Sequence, residues 1–500
     1  MSKGKLLAVC IVWLLIIAAL AVTWRLVINP TREDRLIGET GSESQYDARV
    51  QVALDSFSGY AILRSDEFRD GLAKKKIRLV LRDDAADYAG RLKALDSGRT
   101  DMAVFTIDAL LKVSDQMGET PATIVAVIDE TRGADAVVAY ESKFPNVDAL
   151  NHPETRFVLT PDSPSETLAR VIMSQFQLDR LPSQPFISAE DAVAVYKRFR
   201  TASQNDPHVY VVWEPLVSKM RQNPNTIVLA STENIRGYIV DVLVASRRFL
   251  LDNPEVVQEV LAAYFRTAFE YRNRMEELVL ADAKRTETPL SAKEAAEVAK
   301  GIVWRNTQEN FAHMGLSVSN QLETVEDMIV KISSILQQSG AISGDPTRGH
   351  PENLYHNRIL AELKSSNFYP GLAQEEIRDE SIVLPTLSKQ EWDELEPVGT
   401  YHVPTLVFAR GTARLTSRSQ LILDRLVTTL RSSPQYYLSV QGNASLQGDL
   451  EANQALAESR AAAVAEYLIE DGIDKQRVRA EAGEPTGDMS VTFVLGQPHN

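Results

Sequence analysis

Short apolar runs rich in β-branched residues alternate with longer amphipathic stretches from about residue 49 onward. The short runs have the length of strands, and in the long stretches apolar residues recur every three to four positions, as on one face of a helix. The predicted strands are Val50–Leu54, Ile77–Leu81, Met102–Phe105, Thr123–Ile128, Ala136–Ala139, Arg156–Leu159, Val209–Trp213 and Thr226–Leu229. The predicted helices include Tyr88–Ser97, Ser165–Phe176, Ala189–Thr201 and Pro254–Arg274. Because strands and helices alternate, the pattern predicts an α/β fold with parallel sheets, whose strand-end loops gather at one edge and bind ligands there.

The pattern changes twice further along the chain. Residues 250–340 are mostly helical, with amphipathic segments over Ala292–Asn310 and Val325–Gln338. The next stretch is rich in Pro, Gly and charge, and indicates a connector with one short helix near Ile359–Leu363. A second, compact α/β module follows it. The expected domains are therefore a large domain over residues 49–345, a connector over 346–397 and a C-terminal module over 398–497.

The N-terminus carries a hydrophobic segment. Leu6–Trp24 is an uncharged, mostly apolar run of 19 residues, about 28 Å of helix and close to the thickness of a bilayer core. Lys3 and Lys5 precede it and predict a cytoplasmic N-terminus. A cleaved signal peptide is the alternative, because Ala19–Ala21 has the small-x-small pattern of a cleavage site. We expect an uncleaved anchor over residues 1–30, a polar linker over 31–48, and a single-pass inner-membrane protein whose remaining chain is periplasmic.

The composition narrows the function. With 44% apolar and 24% charged residues, the chain is globular rather than disordered. The formal charge of −15 disfavours nucleic acid as a partner, because a phosphate backbone needs a basic surface. No H-E-x-x-H, C-x-x-C, Walker A or G-x-S-x-G motif occurs, the seven histidines are scattered singly, and Cys10 is the single cysteine. We therefore expect no cofactor, no metal site and no catalysis.

Four stretches of the large domain carry a family pattern. They are DSFSGY at Asp55–Tyr60, LDSGRTDMAV at Leu95–Val104, DETRGAD at Asp129–Asp135 and VWEP at Val212–Pro215. These stretches resemble periplasmic solute-binding proteins of the nitrate, sulfonate and taurine type and of the related NMT1-like type. The resemblance implies two lobes that are joined by two crossovers and close over a small solute by a hinge motion.

The helix that starts near Ser163 offers one candidate contact. Ser163 as N-cap, Pro164 at the first position and Glu166 at the third form a predicted capping box, and Ser165 lies between them. Free N–H groups at such a helix start can hold an anionic or carbonyl oxygen of a ligand. Plain helix capping without a ligand is the alternative.

Other candidates lie at the ends of predicted strands. Thr106 and Asp108 come directly after one strand, where they could meet a ligand or act as ordinary helix caps. Trp213 and Glu214 offer a flat apolar face beside a carboxylate, and a buried tryptophan with a surface carboxylate is the alternative. The aromatic pair of the DSFSGY stretch could form a stacking wall or belong to the core.

The charged candidates indicate a kind of solute. Asp108, Asp135, Glu214 and Asp241 lie near predicted strand or loop ends, and Arg132 is the main cation among them. If they converge, the pocket suits an amine- or ring-bearing solute better than a naked sulfonate. The candidate ligand-binding residues are Ser56, Phe57, Tyr60, Thr106, Asp108, Arg132, Ser163, Ser165, Trp213, Glu214 and Asp241.

The stretch Val440–Ala461 reads VQGNASLQGDLEANQALAESRA, a strand, a glycine-bracketed loop and a helix. It resembles the peptidoglycan-binding domain of the OmpA family, whose core pattern is G-H-T-D-x-x-G followed by N-x-x-L-S-x-x-R-A. The matching positions are Gly442, Gly448, Asn453, Leu456, Arg460 and Ala461. The differing positions are Asn443, Ala444, Ser445 and Ala457, in place of His, Thr, Asp and Ser. Leu406–Phe408 and Leu421–Leu430 resemble the first strand and first helix of the family.

The same resemblance implies a peptidoglycan site at Ser445, Asn453 and Arg460. In the family, the loop Asp and the helix Arg grip the amine and the carboxylate of the diamino acid in the peptide stem. Arg460 keeps the partner of the carboxylate, but Ser445 cannot pair with an ammonium. Losing a charge-assisted contact costs about 1.5–3 kcal/mol, roughly ten- to a hundredfold in affinity. We therefore expect weakened or lost wall binding, or docking to a protein or a different stem.

Together these features predict a membrane-anchored periplasmic protein that binds or senses a small solute and docks to the cell wall. A structural scaffold without a solute is one alternative, and the substrate-binding component of an ABC-type transport system is another. A pocket lined jointly by Thr106, Arg132, Ser165 and Glu214 would favour the receptor, and a filled cleft would favour the scaffold. The expected partners are a small solute, peptidoglycan or an envelope protein, and the lipid bilayer through the N-terminal helix, with no nucleic acid.

Overall fold

The computed structural model describes residues 45–286, 289–319, 321–371, 375–483, 485 and 490–498. The expected anchor over residues 1–30 and most of the linker over 31–48 lie outside the described residues. Within the part of the chain that is described, no helix combines the length and the apolar character needed to cross a bilayer.

The described strands form three separate sheets. In chain order the strands are β1 (Ala48–Leu54), β2 (Ile77–Asp83), β3 (Met102–Thr106), β4 (Ala122–Thr131), β5 (Asp135–Tyr140), β6 (Arg156–Leu159), β7 (Phe186–Ser188), β8 (His208–Trp213), β9 (Thr226–Ser231), β10 (Val240–Ser246), β11 (Ile302–Trp304), β12 (Glu396–Thr400), β13 (Tyr437–Asn443), β14 (Val478–Ala482) and β15 (Ser490–Gln497). Lobe one contains the sheet β11-β4-β10-β3-β1-β2, lobe two contains β7-β6-β8-β5-β9, and the C-terminal module contains β12-β15-β13-β14.

Helices connect these strands and cover the sheets. They are α1 (Ala61–Arg64), α2 (Asp66–Lys74), α3 (Tyr88–Asp96), α4 (Ile107–Met117), α5 (Pro164–Gln175), α6 (Ala192–Thr201), α7 (Leu216–Arg221), α8 (Arg247–Asp252), α9 (Pro254–Tyr271), α10 (Met275–Arg285), α11 (Ala292–Lys300), α12 (Thr307–His313), α13 (Val325–Gln338), α14 (Arg358–Ser365), α15 (Lys389–Asp393), α16 (Ser417–Arg431) and α17 (Leu450–Glu470). Polar caps start many of them: Asp87 accepts a hydrogen bond from the Gly90 N–H at α3, and Thr324 forms a capping box with Asp327 at α13.

The chain crosses between the lobes twice. Residues 132–134 lead from β4 of lobe one to β5 of lobe two, and residues 232–239 lead back from β9 to β10. Along β5, Val137 and Ala139 belong to the core shared with lobe one, whereas Val138 and Tyr140 belong to a separate core on the other face of the sheet. This alternation is that of a strand buried on both faces. The expected two-lobed α/β architecture with two crossovers is therefore confirmed.

Strand β10 is the main departure from the expected fold. Its sequence VDVLVAS is buried throughout, and the strand pairs antiparallel with both β3 and β4. The expectation of parallel sheets is therefore wrong for both lobes. The sheet of lobe one is mixed because the chain re-enters the lobe and runs back across it, and in lobe two β5 pairs antiparallel with β8 and β9.

The helical region also differs from the expectation at one place. The predicted single segment over Ala292–Asn310 is divided into α11, β11 and α12. Capping boxes at Ser291 and Asn306 start the two helices, and Gly301 ends the first. The short strand β11 between them adds to the edge of the lobe-one sheet beside β4.

The C-terminal module packs two helices against a four-stranded mixed sheet. Its edge strand is β12, not the predicted Leu406–Phe408, where Phe408 forms an isolated bridge with Leu415. Gly442 lies where α17 approaches β13, and a Cβ atom there would stand 2.1 Å from the carbonyl oxygen of Ala457. The glycine of the family pattern is thus required by helix packing.

The module also contacts lobe two through β12. The backbone N–H of Val147 donates to the carbonyl oxygen of Val398 (2.9 Å), and the N–H of Gln177 donates to the carbonyl oxygen of Thr400 (2.9 Å). The side chain of Asp148 accepts a hydrogen bond from the N–H of Thr400 (2.7 Å). Lobe two and the module are therefore joined by backbone hydrogen bonds, and one apolar core continues through both.

Candidate functional site

Neighbouring strands of lobe one end in a row of buried residues. Asp241 on β10 lies directly opposite Thr106 on β3 and Asp129 on β4, and Trp304 on β11 lies opposite Asp129. Cross-strand partners point to the same face of a sheet. Each of the four has an exposed fraction of 6% or less. The row therefore places two carboxyl groups and a hydroxyl group side by side at one end of the sheet.

The loop after β1 closes over this row. The Tyr60 hydroxyl donates a hydrogen bond to Asp241 Oδ1, and Trp304 Nε1 donates to the carbonyl oxygen of Gly59 (2.8 Å). A Cβ atom at residue 59 would stand 2.4 Å from Asp129 Oδ2, so only glycine lets the backbone approach the carboxyl group. The DSFSGY stretch thus positions Tyr60 through a close backbone contact.

Lobe two completes the site across the cleft. Asp135 is the first residue of β5, and Ser165 and Thr167 lie in the first turn of α5; all three are buried. The Thr167 hydroxyl donates a hydrogen bond to Oδ2 of Asp108, which lies in the first turn of α4 in lobe one. Asp108, Asp129, Asp135 and Asp241, here called the acidic cluster, therefore come together where the lobes meet.

Several polar atoms of this region lack a well-formed hydrogen bond. Within the described residues they include Thr106 Oγ1, Asp108 Oδ1, both carboxyl oxygens of Asp129, Ser165 Oγ and, one helical turn after Asp108, Lys112 Nζ. Leaving a buried polar group unsatisfied costs about 1–3 kcal/mol, more for a charged one. Their concentration at the lobe boundary identifies the cleft as a place where outside hydrogen-bonding groups would be accommodated.

Asp129, Asp135 and Asp241 of the cluster have raised pKa values and therefore hold their protons unusually strongly. Burial, followed by the charges of Asp241 and Asp108, raises the pKa of Asp135 to about 8. Burial raises the pKa of Asp241 to about 7, although the hydrogen bond from Tyr60 opposes the shift. Burial and then the charge of Asp241 raise the pKa of Asp129 well above its ordinary value. Desolvation and mutual repulsion therefore act together in the cluster.

The nearby cations are engaged with other carboxylates. The Arg91 guanidinium binds Asp84 and stands 3.0 Å from Asp55 Oδ2. Lys112 Nζ stands 3.9 Å from Asp162 Oδ1 and 4.0 Å from Glu166 Oε2, so these carboxylates attract its charge without a hydrogen bond. Salt bridges of the described residues thus surround the cluster without including any of its four members.

The predicted candidates of the first lobe reach the cleft in part. Tyr60, Thr106 and Asp241 lie in or beside the row described above, and Asp108 lies at the lobe contact. Phe57 is half-buried and packs edge-on against Tyr60, with ring centroids 5.3 Å apart. Ser56 is exposed.

The remaining candidates have other contacts. Ser163 is the N-cap of α5, but its hydroxyl donates to the carbonyl oxygen of Thr160 (2.7 Å), so the expected capping box is not formed. Glu166 instead accepts from the N–H of Asp162 (2.7 Å). Glu214 accepts hydrogen bonds from the N–H and the hydroxyl of Ser218 at the start of α7. A pocket lined jointly by Thr106, Arg132, Ser165 and Glu214, which would have favoured the receptor over the scaffold, is thus not the arrangement found.

Trp213 is half-buried at the end of β8, where it pairs with Asp135 of the cluster. Three further residues of the site were not candidates: Asp129, Thr167 and Trp304. Asp129 stands at the start of the DETRGAD stretch, which was a usable signal. Thr167 reaches the site because lobe two approaches Asp108 of lobe one, and Trp304 reaches it because β11 pairs with β4.

Arg132 belongs to a different group, on the hinge. Its Nη2 donates to Glu130 Oε2 (2.8 Å), and it also binds Glu380 of the connector. Arg305 Nη1 donates to Glu380 Oε1 (2.7 Å) and Arg305 also binds Glu130, which accepts from the N–H of Gly237 (2.8 Å). Glu130, Arg132, Arg305 and Glu380, here called the hinge network, therefore tie both crossings to the connector.

The hinge network shifts its carboxylate in the opposite direction from the cluster. Burial alone would raise the pKa of Glu130, but the charges of Arg305 and Arg132 outweigh burial and lower it to about 2. The C-terminal module lies next to the same crossing, because the N–H of Arg236 donates to the carbonyl oxygen of Ser432 (2.8 Å).

The loop of the C-terminal module is braced by its own side chains. Asn453 Nδ2 donates to the carbonyl oxygens of Ser445 (3.0 Å) and Gln447 (2.8 Å). The Ser445 hydroxyl accepts from the N–H of Gln447 (3.1 Å). Arg460 Nε donates to the carbonyl oxygen of Thr412 (3.1 Å), and its guanidinium carbon stands 4.7 Å from the ring centroid of Phe408. The candidate residues thus share one end of the module, and their binding roles stay predictions.

Metal ligation is a separate question. Residues 45–498, in so far as they are described, include no group of three or more His, Cys, Asp or Glu side chains placed to hold a metal ion.

Comparison with known proteins identifies the C-terminal module most directly. Residues 407–489 match the model of the OmpA family. The peptidoglycan-associated lipoprotein of Rhizobium meliloti (strain 1021) is 32% identical over 74 residues, which are 15% of this chain and 42% of that protein. The chain therefore spans less than half the length of that curated relative.

Solved structures similar to the larger part of the chain include periplasmic binding proteins. A sulfonate-binding protein from Methylobacillus flagellatus KT has a TM-score of 0.48 and 13% identity, covering 65% of this chain and 96% of its own. The aliphatic sulphonate binding protein of Escherichia coli has a TM-score of 0.46 and 13% identity, covering 63% and 99%. The nitrate-binding protein of Synechocystis PCC 6803 has a TM-score of 0.45 and 10% identity, covering 64% and 88%. The C-terminal part of the chain, in line with its loop and helix motif, carries an OmpA domain.

Proposed function

We propose that this protein is an envelope receptor that captures a small solute between its two lobes and is held at the cell wall by its OmpA domain. One observation carries the proposal: buried polar atoms without a well-formed hydrogen bond are concentrated where the lobes meet, at Thr106, Asp108, Asp129 and Ser165. A purely structural interface would be expected to satisfy or remove such groups.

The closed arrangement supports a clamp mechanism. The hydrogen bond from Thr167 to Asp108 joins the lobes directly, so opening would break it and expose the cluster to solvent. The two crossings, at residues 132–134 and 232–239, are the segments about which the lobes would rotate. Solute binding would then shift the population toward the closed state.

The second part of the proposal concerns the wall. The relative in Rhizobium meliloti is described as peptidoglycan-associated, and Arg460 keeps the guanidinium that would bind a stem carboxylate. With Ser445 in the position of the family's Asp, we propose binding to peptidoglycan that is weaker than the family's. The anchor expected over residues 1–30 would hold the chain in the inner membrane with the lobes in the periplasm, and no catalysis is proposed.

Titration calorimetry on the full-length chain in detergent tests the receptor. We expect heat of binding for at least one member of a panel of putrescine, spermidine, cytosine, taurine and nitrate, together with an increase in melting temperature. Mass spectrometry of small molecules released from freshly purified protein would identify a solute outside the panel. Absence of binding in both measurements would refute the receptor.

A scaffold without a solute is the second candidate, and one observation favours it. Lobe one and lobe two already touch through Asp108 and Thr167, and the surface cavities of about 380 and 450 Å³ lie elsewhere. The first is lined by Trp392, Lys475 and Arg479, at the connector and module. X-ray scattering distinguishes the candidates: a receptor changes its radius of gyration when solute is added, and a scaffold does not.

A further inference from the structure

We infer that the solute carries an ammonium group, and that Asp108, Asp129 and Asp241 receive that group in the cleft. The inference rests on the proposed receptor function and names the chemical class of its ligand. It would exclude sulfonate and nitrate, which the similar solved structures are described as binding.

The first argument is the number of hydrogen-bond acceptors. Asp108 Oδ1 and both oxygens of Asp129 are buried acceptors without a well-formed hydrogen bond among the described residues. The hydroxyl groups of Thr106 and Ser165 can also accept, and Thr106 lies opposite Asp241 on the neighbouring strand. An ammonium group brings up to three donors and no acceptor, so it matches this set.

The second argument is charge. Four carboxyl groups meet in the cluster, and no salt bridge of the described residues includes any of them. The guanidinium groups beside the cluster are bound to other carboxylates: Arg91 to Asp84 and Asp55, and Arg305, whose charge acts on Asp129, to Glu130 and Glu380. Because burial and the lack of a cation raise the pKa values of Asp135 and Asp241, an ammonium group would displace protons from the cluster and be attracted to the resulting carboxylates at low dielectric.

The third argument is the surrounding surface. Tyr60, Tyr264 and Trp304 are buried beside the carboxyl groups: Tyr60 donates to Asp241, Trp304 lies opposite Asp129, and the Tyr264 hydroxyl donates to the carbonyl oxygen of Ile128 (3.4 Å). Aromatic rings favour organic cations and tolerate the alkyl carbons of an amine. An amine with a short carbon chain fits such walls better than a hydrated inorganic ion.

A matched set of probes tests the inference on the full-length protein. Ethylammonium and ethanesulfonate have the same two-carbon chain and opposite charge; putrescine adds a second ammonium, and nitrate and magnesium serve as inorganic probes. We expect the two amines to bind and to raise the melting temperature, and ethanesulfonate, nitrate and magnesium to do neither. Binding of an anion, a metal or a neutral ring compound without binding of amines would overturn the inference and leave the receptor intact. Absence of binding by every solute tested would refute the receptor itself.

Asp129→Asn locates the site. Because Asp129 is buried opposite Asp241 and forms no salt bridge, an amide there should relieve the repulsion between the two carboxyl groups, so the apo variant should melt at the same or a higher temperature, while amine affinity falls on the order of ten- to a hundredfold. A lower melting temperature with unchanged affinity would assign Asp129 a structural role and contradict the inference.

Two further variants keep the test decisive. Ser165→Ala removes a buried hydroxyl without a well-formed hydrogen bond and should weaken amine binding by a smaller factor, even if the Asp129 variant fails to fold. Asp101→Asn is the matched control, because Asp101 lies beyond the opposite end of β3 and accepts a hydrogen bond from the N–H of Gln51 (2.8 Å). Amine affinity should be unchanged in the control; equal losses in all three variants would count against the site.

Discussion

Asp129 and Glu130 are consecutive residues near the end of β4, and both are buried, yet their surroundings are opposite. Successive side chains of a strand point to opposite faces. Glu130 meets Arg132 and Arg305 in the hinge network, and its pKa falls to about 2. Asp129 meets Asp241 instead of a cation, and burial raises its pKa well above the ordinary value.

The difference separates the structural role of Glu130 from the binding role that we propose for Asp129. Burial is the same on the two faces, so the charge of the partner decides whether the carboxyl group is held as an anion. A buried carboxylate with two guanidinium partners holds segments together. A buried carboxyl group without a cation lowers the stability of the folded protein. Such a cost is typical of binding sites, where a ligand supplies the missing charge.

The largest expected effect comes from breaking the hinge network. Glu130→Gln removes one of the two carboxylates of the hinge network and leaves Glu380 as the remaining partner of both Arg132 and Arg305, so the free energy of unfolding should fall by about 3 kcal/mol. Urea denaturation followed by circular dichroism measures the change. Glu214→Gln is the control, because Glu214 contacts the exposed start of α7 through Ser218 and should change stability by less than about 1 kcal/mol. Equal effects of the two substitutions would remove the basis of the comparison.

The OmpA domain offers the reverse case, a cation beside a missing carboxylate. Ser445→Asp restores the acidic residue of the family pattern. Position 445 is held next to Asn453 by a hydrogen bond and lies at the same end of the module as Arg460. Binding to purified sacculi should strengthen roughly ten- to a hundredfold, since a charge-assisted contact contributes about 1.5–3 kcal/mol. Pull-down with increasing amounts of sacculi measures the affinity. The control is Ser459→Asp, which adds a carboxylate on the exposed face of α17 and should give no gain in binding. Ser439 is unsuitable as a control because its hydroxyl binds Glu481.

The two carboxyl environments should also respond to pH in opposite directions. Asp135 and Asp241 have pKa values of about 8 and about 7, above those of the unfolded chain, so the stability they contribute is present at low pH and lost as the pH rises through 8. The lowered pKa of Glu130 acts in the other direction: its contribution is present above pH 4.5 and lost as the pH falls toward 2.

The window above pH 6.5 isolates the acidic cluster. The pKa of buried His313 is lowered to about 4, mainly by burial, so His313 raises stability with pH from 4 to 6.5 and offsets the carboxyl groups there. Between pH 6.5 and 8 the free energy of unfolding should therefore decrease, on the order of 2 kcal/mol. Thermal melting at fixed ionic strength measures the decrease, and Asp135→Asn should flatten it. A flat profile in the unsubstituted protein would contradict the raised pKa values.

Much of the site could be predicted from strand ends. Thr106, Asp108 and Asp241 were candidates because polar residues follow or open apolar runs, and all three lie at the lobe boundary. Asp129 also lies near the end of an apolar run. Its importance depends on its pairing with Asp241, and that pairing arises only when the chain returns to lobe one and β10 runs antiparallel to β4.

The hinge network marks a second limit of sequence reasoning. Arg132 carries the charge expected of a ligand contact, and its commitment to Glu380 depends on where the connector lies. The connector has no helical or strand periodicity over that part, so its path is set by tertiary contacts such as that of Arg378 with Glu309. Residues whose partners come from distant, aperiodic segments are therefore assigned from structure alone.

The smallest expected effect comes from breaking a hydrogen bond between two uncharged side chains at the hinge. This case tests whether charge, rather than position at the hinge, makes Glu130 important for stability. Asn234 Nδ2 donates to the Tyr436 hydroxyl (2.5 Å) between the second crossing and the C-terminal module. Tyr436→Phe deletes this bond, and because Asn234 is half-buried and can bind water, unfolding should become easier by only about 0.5–1.5 kcal/mol. Differential scanning calorimetry also shows whether the module then melts separately. A loss as large as that of Glu130→Gln would mean that the position of the residue at the hinge, rather than its charge, determines the cost.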